Sequence, residues 1–539
     1  MKHYLKKLEE TIRNQWSQKA LCDYKGDAFT YADLATSIEQ FRIFLEKAKI
    51  KKGSKIAICA RNSARWAMAF WNINVNGCVA VPLLADFSPS GIAALTRHSD
   101  SVLLFADEDI WSNLFPDEMK ALKAAINVKD GSLLWYQDQQ VADAWENREK
   151  AFEQQHPKGL KPEQVSYPTN NSGDLAIINY TSGTTGNPKG VMLTYGALSD
   201  TDDFSNSHFP NHPGETVVSM LPLAHMYGLV IEFIHPNIDG VTVYFLGKAP
   251  SPTTLLKAMQ EVKPYMVVTV PLVMEKIYAN SIKPALDKMK LLVAVPLVNK
   301  LIYNTIRKKI IESFGGQVRC FIMGGAALKP EVERCFTKMQ LPFTVGYGMT
   351  EACPLLGFEW WTEFVPGSCG KPVHEIRIDS TDPEHVAGEI QTRGANLTIG
   401  YYKNPEANEA AFTKDGWFRT GDLGVMDSKG NIFIRGRIKS MILGANGQNI
   451  YPEEMEAVLS SCPYVGESLV VERQGKIVAL VYPELPEDID AETQKNLAEI
   501  IRTAANKALP VYSKLSKVEL REFPFEKTPK MSIKRYLYS

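Results

Sequence analysis

The stretch YTSGTTGNPKG (180–190) concentrates groups that bind phosphate. Gly183, Gly186 and Gly190 alternate with the hydroxyls of Thr181, Ser182, Thr184 and Thr185, Pro188 blocks helix through the turn, and Lys189 adds one cation. Glycines let a backbone turn sharply and approach a ligand closely, and exposed N–H and O–H donors suit phosphate oxygens. The register excludes a Walker-type loop, which needs GxxxxGK followed by Ser or Thr and a helix that opens at the lysine. Here Lys189 follows Pro188 and precedes Gly190.

Two further stretches carry chemistry. CFIMGGAAL (320–328) reads as a strand entering a turn of small residues, where Gly325 and Ala326 allow a flat ring to lie against the backbone. In VGYGMTEACP (345–354), Gly346 and Gly348 flank Tyr347, an aromatic suited to stacking on adenine. Thr350 offers a hydroxyl to a phosphate, and Glu351 offers a carboxylate. A carboxylate beside a phosphate-bearing ligand makes sense only with a cation between them, so Glu351 implies Mg2+. His225 sits in the apolar VVSMLPLAHMYGL (217–229), where a lone histidine is usually a satisfied core residue. His208 and His212 have helical metal spacing, but Pro210 between them and Pro213 after them argue against zinc.

Strands must hold these groups. DLAIIN (174–179), just before the first loop, reads as a buried strand. Upstream, residues 31–48 show helical spacing, KIAICA (55–60) a strand, 62–74 a helix, CVAVPL (78–83) a strand, 88–97 a helix and SVLLFA (101–106) a strand. Such alternation predicts an open, largely parallel sheet covered on both faces. Residues 149–173 are polar and rich in Pro and Asn, and read as a surface connection. Residues 281–312 carry Lys283, Lys288, Lys290, Lys300, Arg307, Lys308 and Lys309 against Asp287 and Glu312. An apolar, basic segment of this kind could touch an anionic membrane, although a plain amphipathic helix pair is the commoner explanation. SLVVER (468–473), KIVALVYP (476–483) and a helix over 491–508 suffice for a small terminal α+β domain.

Composition sets bounds on all this. A chain of 539 residues is too long for one core. A net charge of −1 and a pI near 6.8 argue against nucleic acid as a partner. The opening MKHYLKKLEE lacks the apolar centre of a secretory signal, and LLVAVPLV (291–298) is too short to span a bilayer. Eight cysteines without paired spacing read as reduced thiols, the usage of a cytoplasmic protein.

Taken with LPLAHMYG, GEIQTRGANLTIGYYKNPE (388–406), DGWFRTGDLG (415–424) and GRIKSMILGANGQNIYPEEME (436–456), these motifs resemble the adenylate-forming superfamily of acyl-CoA synthetases, luciferases and peptide-synthetase adenylation domains. The order is the family's, over nearly the whole chain. VKPYMVVTVPLVMEKIY (262–278), GGAALKPEV and the terminal TPKMSIKR lean toward long-chain fatty-acid–CoA ligases.

The resemblance implies an α/β fold: a large N-terminal domain of doubly wound sheets with a small β-barrel subdomain (1–436), then a small mobile α+β domain (437–539) hinged near Lys439. It implies ATP, Mg2+ and CoA, and a carboxylic acid, of medium or long fatty chain, activated to acyl-AMP and passed to the thiol. A carrier-protein ligase and a catalytically impaired adenylate-binding protein stay open as alternatives. By the same resemblance Lys189, His225, Glu351 and a C-terminal lysine are catalytic, with His225 lining the carboxylate pocket. Thr181 to Gly186 hold phosphate, and Mg2+ sits at Glu351 and Thr181. Asp422 grips the ribose hydroxyls, Arg437 touches the nucleotide, and Gly447 belongs to a loop lining the pantetheine tunnel. One departure stands out. The family's terminal lysine position is Ser532 here, with Lys530 and Lys534 on either side. Lys530 is the expected substitute, because Lys534 already matches the basic pair that follows the catalytic position.

Overall fold

The computed structural model describes residues 2–169, 171–181, 188–247, 252–293, 295–443, 449–486, 489–510, 513–527 and 533–538. Among these residues two seven-stranded sheets form the larger part of the molecule. The first runs in the order Leu133–Tyr136, Ala124–Asn127, Leu103–Ala106, Lys55–Cys59, Val79–Pro82, Leu175–Thr181, Lys189–Thr194. The second runs Phe343–Val345, Cys320–Met323, Met266–Thr269, Thr216–Ser219, Thr242–Phe245, Lys19–Asp23, Ala28–Thr30. Interior pairs are parallel, and antiparallel pairs occur only at sheet edges. Strands covered on both faces lose the polar alternation of a half-exposed sheet, so Ile56, Ala57, Ile58 and Cys59 are all buried.

Helices between the strands start where side chains satisfy their free N–H groups. Thr30 and Asp33 make a reciprocal cap for Tyr31–Lys47, and the Ser63 hydroxyl accepts from Trp66 N at the head of Ala64–Val75. Helix Ala64–Val75 is buried along most of its length because it joins the two sheets. Its Phe70 and Trp71 meet Phe233, from the second sheet's side, edge to face at 5.7 and 5.4 Å between ring centres.

The expected barrel-like subdomain consists of an antiparallel four-stranded sheet, Glu375–Asp379, Gly388–Arg393, Phe418–Met426 and Ile432–Arg437, and a three-stranded one, Tyr347–Gly348, Leu355–Phe358 and Lys371–Pro372. Leu356, Ile378, Ile390 and Ile432 fill a small core between them. A separate small domain follows, with strands Val465–Arg473, Lys476–Pro483 and Lys517–Leu520 covered by helices Pro452–Leu459 and Ala491–Ala508.

One segment departs from its expected form. Residues 149–173 begin inside a helix, Arg148–Gln155, whose Ala151 and Phe152 pack on Ile43. Two buried residues one after the other show no helical period, so nothing in the polar sequence around them revealed it. Among the described residues all the cysteines are free, and no helix is long and apolar enough to cross a membrane.

Candidate active site

Loops leaving the carboxyl ends of parallel strands form the binding crevice of an open α/β sheet. Four of the motifs singled out above leave such an end. Leu175–Thr181 runs into the phosphate loop, Thr216–Ser219 into LPLAH, Cys320–Met323 into Gly324 and Gly325, and Phe343–Val345 into Gly346. Thr181 pairs with Lys189 across an antiparallel ladder, so the lysine opens a strand rather than a helix. Ser182, Gly183, Thr184, Thr185 and Gly186 lie outside the described residues.

The strand that begins at Lys189 is tied to Glu351 by a second segment, 396–402. Tyr402 N donates to Gly190 O at 2.8 Å, Met192 N to Gly400 O at 2.9 Å, and Ile399 N to Met192 O at 3.1 Å. Thr398 N donates to Glu351 O at 2.7 Å, while the Thr398 hydroxyl donates to Met192 O at the same distance. Asn396 Nδ2 holds Ala352 O and Leu355 O, at 2.9 and 2.7 Å. These bonds bring Tyr401 between the two functional groups. Its hydroxyl donates to Glu351 Oε1 at 3.0 Å, and the Lys189 ammonium lies 4.8 Å from its ring centre. Burial, reinforced by the Glu351 carboxylate, holds the Tyr401 phenol well above its usual pKa. Glycine at 190 is required, since a Cβ there would sit 2.9 Å from Ile178 Cγ2 and 3.2 Å from the Tyr180 ring.

The same short turn connects to a second group. Gly346 N donates to Met323 O at 2.8 Å, and a Cβ at Gly348 would collide with Pro354 O. Tyr347 is 5% exposed, and its ring lies in the small core with Leu356 and Ile390. Its hydroxyl donates to Asp422 Oδ2 at 2.7 Å, so this tyrosine orients the carboxylate and offers little ring surface for stacking. Arg437 Nε sits 3.0 Å from Asp422 Oδ1, across the ladder pair that joins the two residues. Burial raises the Asp422 carboxyl, and the Arg437 charge opposes that rise. Each carboxylate oxygen keeps a lone pair for a further donor.

His225 is half-buried on a segment clamped from three sides. Asn62 Nδ2 donates to Leu221 O at 2.7 Å and its Oδ1 accepts from Leu223 N at 3.0 Å. Asn179, two residues before Thr181, donates to Ala224 O at 2.8 Å. Glu232 Oε2 accepts from the Ser219 hydroxyl and from Met220 N and Leu221 N, at 3.0, 3.1 and 3.0 Å. Burial pushes the Glu232 carboxyl up to about 8, and its Oε1 has no partner among the described residues. The histidine and the phosphate loop therefore hang on one framework.

Gly325 takes a φ of +86°, and both it and Ala326 are exposed, as a surface for a ligand would be. Thr350 is buried, Thr181 half-buried. Lys439 is exposed in a single turn, Ile438–Ser440, between the last strand of the four-stranded sheet and Ile442–Leu443. In the tail, Arg535 grips Glu456 with two bonds of 2.7 and 2.8 Å and donates to Val470 O at 2.7 Å, while Lys534 Nζ lies 3.3 Å from Glu526. Gly447, Lys530 and Ser532 lie outside the described residues. Tyr401, Asn179, Asn62 and Glu232 received no role from the sequence, although GYYKNPE carries the tyrosine and Asn179 is the polar end of an apolar run.

Comparison with known proteins places the chain in a family. A family model described as AMP-binding enzyme matches residues 8–402. The chain is 27% identical over 498 residues to long-chain-fatty-acid–CoA ligase FadD15 of Mycobacterium bovis, covering 87% of this chain and 79% of the relative. To long-chain-fatty-acid–CoA ligase 4 of Saccharomyces cerevisiae it is 28% identical over 525 residues, covering 88% and 75%. To the long-chain-fatty-acid–[acyl-carrier-protein] ligase AEE15 of Arabidopsis thaliana it is 27% identical over 556 residues, covering 86% and 74%. Among solved structures, ATP-bound MatB from Rhodopseudomonas palustris superposes with a TM-score of 0.79 at 21% identity, over 100% of this chain and 98% of that one. MenE from Bacillus subtilis with AMP gives 0.75 at 22%, with the same coverage. The chain belongs to the AMP-binding enzyme family.

Proposed function

We propose that the protein is an ATP-dependent acid–thiol ligase acting on a medium- or long-chain fatty acid. In the first step a carboxylate oxygen attacks the α-phosphorus of ATP, the bond to the β-phosphoryl oxygen breaks, and pyrophosphate leaves an acyl-adenylate. In the second, a thiol loses its proton and attacks the acyl carbon, AMP leaves, and a thioester forms. The obstacle in the first step is bringing an anion to a polyanion.

The observation that carries this reading is the bridge from Lys189 through Tyr401 to Glu351, which puts a cation and a fixed carboxylate at the mouth of the phosphate loop. Lys189 offsets phosphate charge, and Thr181 and Thr350 supply hydroxyl donors. Asp422, oriented by Tyr347 and Arg437, has lone pairs for the two ribose hydroxyls. His225, held by the clamp of Asn62, Asn179 and Glu232, lines the acid's pocket.

Glu351 fits magnesium: it is 8% exposed, its Oε1 is fixed by a phenol, and hard oxygen donors are what that ion takes. Bound by Glu351 and Thr181, the ion would neutralise phosphate charge during the first step. For the second step we assign residues 437–539 as a body that turns about Lys439, bringing the loop with Gly447 to the thiol. Lys530 is our choice for the adenylation lysine. The tail supports it, because Lys534 lies beside Glu526 and its neighbour Arg535 is committed to Glu456.

CoA is the proposed thiol. A carrier-protein thiol is the second reading, favoured by one relative whose name states that acceptor. Incubation with a panel of acids, ATP, Mg2+ and either free CoA or carrier protein, read by mass spectrometry, separates these. Turnover of amino acids or aryl acids alone would remove the fatty-acid assignment. Acyl-adenylate bound without any thioester from either thiol would favour an adenylate-binding protein.

A further inference from the structure

The strands that carry Thr181 and Lys189 are gripped on both faces. Side chains alternate across a strand, so Asn179, which holds Ala224 O, points to one face of the first sheet and its neighbours Ile178 and Tyr180 to the other. Ile178 and Tyr180 share a core with Ile92 and Leu95 of helix Pro89–His98 and with Leu104, and Tyr402 packs against its margin. Tyr401, bridged to Val191, belongs instead to the core on the opposite face, where Val191 and Leu193 also lie. The consecutive tyrosines thus reach opposite sides of the sheet: Tyr401 toward Glu351 and Lys189, and Tyr402 toward the end of helix Pro89–His98.

There the chain turns through Ser99, Asp100 and Ser101 into strand Leu103–Ala106. Asp100 takes a φ of +55°, a conformation that aspartate tolerates better than most residues because its short side chain bonds locally. His98 Nδ1 and the Tyr180 hydroxyl share a hydrogen bond of 2.7 Å. The Tyr402 hydroxyl donates to Asp100 Oδ2 at 2.9 Å. Lys403 Nζ lies 2.7 Å from the same oxygen and donates to His98 O at 3.1 Å. The His98 ring meets the rings of Tyr180 and Tyr402 edge to face, each at 5.8 Å between centres.

Tyr180 directly precedes Thr181 and pairs with Gly190 across the ladder, and Tyr402 N donates to Gly190 O at 2.8 Å. Both stems of the phosphate loop therefore rest on His98 and Asp100, and so does the segment that carries Tyr401 to Glu351. We propose that His98 and Asp100 are positioning residues for the nucleotide step, fixing from the back of the sheet the stems whose front bears Thr181 and Lys189. That role deepens the ligase reading and rests on it for the identity of the ligand. The two residues act through Tyr180 and Tyr402. Stems released from them would have to be ordered as the nucleotide binds, so the loss falls on ATP affinity before anything else.

The test uses the double variant Tyr180→Phe, Tyr402→Phe, which removes both back-face hydroxyls and keeps both rings. One such hydrogen bond changes an equilibrium about two- to tenfold, so titration calorimetry with ATP and Mg2+ is expected to show binding about tenfold weaker than in the parent. In steady-state assays the KM for ATP should rise by a similar factor, while the KM for the fatty acid stays within about twofold. His98→Ala should raise the KM for ATP about fivefold. His98→Asn, whose amide reaches the position of Nδ1, should restore it, which a role in packing alone would not allow. Parental ATP affinity in the double variant would overturn the proposal. So would an equal rise in KM for every substrate, or a His98→Asn variant as impaired as His98→Ala. A parent that binds ATP but forms no thioester would remove the ligase reading alone, since the calorimetric comparison would still decide the role of His98 and Asp100.

Discussion

Tyr401→Phe isolates the contact on which the proposed site turns. The change removes the hydroxyl that donates to Glu351 Oε1 at 3.0 Å but keeps the ring 4.8 Å from the Lys189 ammonium. A hydrogen bond to a charged group contributes about 1.5–3 kcal/mol, and Glu351 at 8% exposure has little water to replace it. That energy corresponds to about 10- to 100-fold if it is felt wholly in the transition state; the share common to ground and transition states appears as lost stability instead. We therefore expect acid-dependent ATP–pyrophosphate exchange to slow about tenfold or more, with a higher magnesium requirement. Tyr401→Ala, which also removes the ring from Lys189, should be slower still. Exchange rates and magnesium dependence unchanged in Tyr401→Phe would refute the claim that this phenol fixes the carboxylate for catalysis.

Other consequences follow from the same geometry. Glu232, near 8 in the folded chain against 4.5 in the unfolded one, holds its proton on folding; its contribution is full below pH 4.5 and is lost as pH rises through about 8. Glu232→Gln, a neutral stand-in, should gain stability relative to the parent across that window, and parallel denaturation curves at pH 5 and 9 would rule this out. Lys530→Ala should cut acyl-adenylate formation about 10²-fold and leave thiolysis of supplied acyl-adenylate near normal, whereas Lys534→Ala should spare both; the reverse pattern would transfer the role to Lys534. Lys439→Pro should separate the two half-reactions by fixing the hinge dihedral, and equal loss of both would indicate a folding fault instead.

The strands that carry the site were legible because strands buried on both faces read as unbroken apolar runs. DLAIIN and CFIM each end in the small or hydroxyl residues of a ligand loop. Glu351 stood out as a candidate because a carboxylate beside a phosphate-binding loop makes little sense without a cation. The pairing of Tyr401 with Glu351 was not, since it depends on segment 396–402 lying along the Lys189–Thr194 strand, far away in sequence. Glu232 was hidden differently. In GLVIEFI it looks like one polar interruption of a buried run, and only the three donors of Ser219–Leu221 show why the interruption is tolerated. Tyr347 could be read as an exposed aromatic, but the burial of its ring and the bond from its hydroxyl to Asp422 depend on the neighbouring sheet.

Attack of a carboxylate on the α-phosphorus leaves a trace in the oxygen atoms of the products. A fatty acid labelled with heavy oxygen in its carboxylate is incubated with ATP, Mg2+, CoA and the protein, and the nucleotide and phosphate products are weighed by mass spectrometry. A labelled oxygen is expected in AMP and none in pyrophosphate, because thiolysis leaves the attacking oxygen on the α-phosphorus. Label in inorganic phosphate, or thioester formed with ADP rather than AMP, would contradict it.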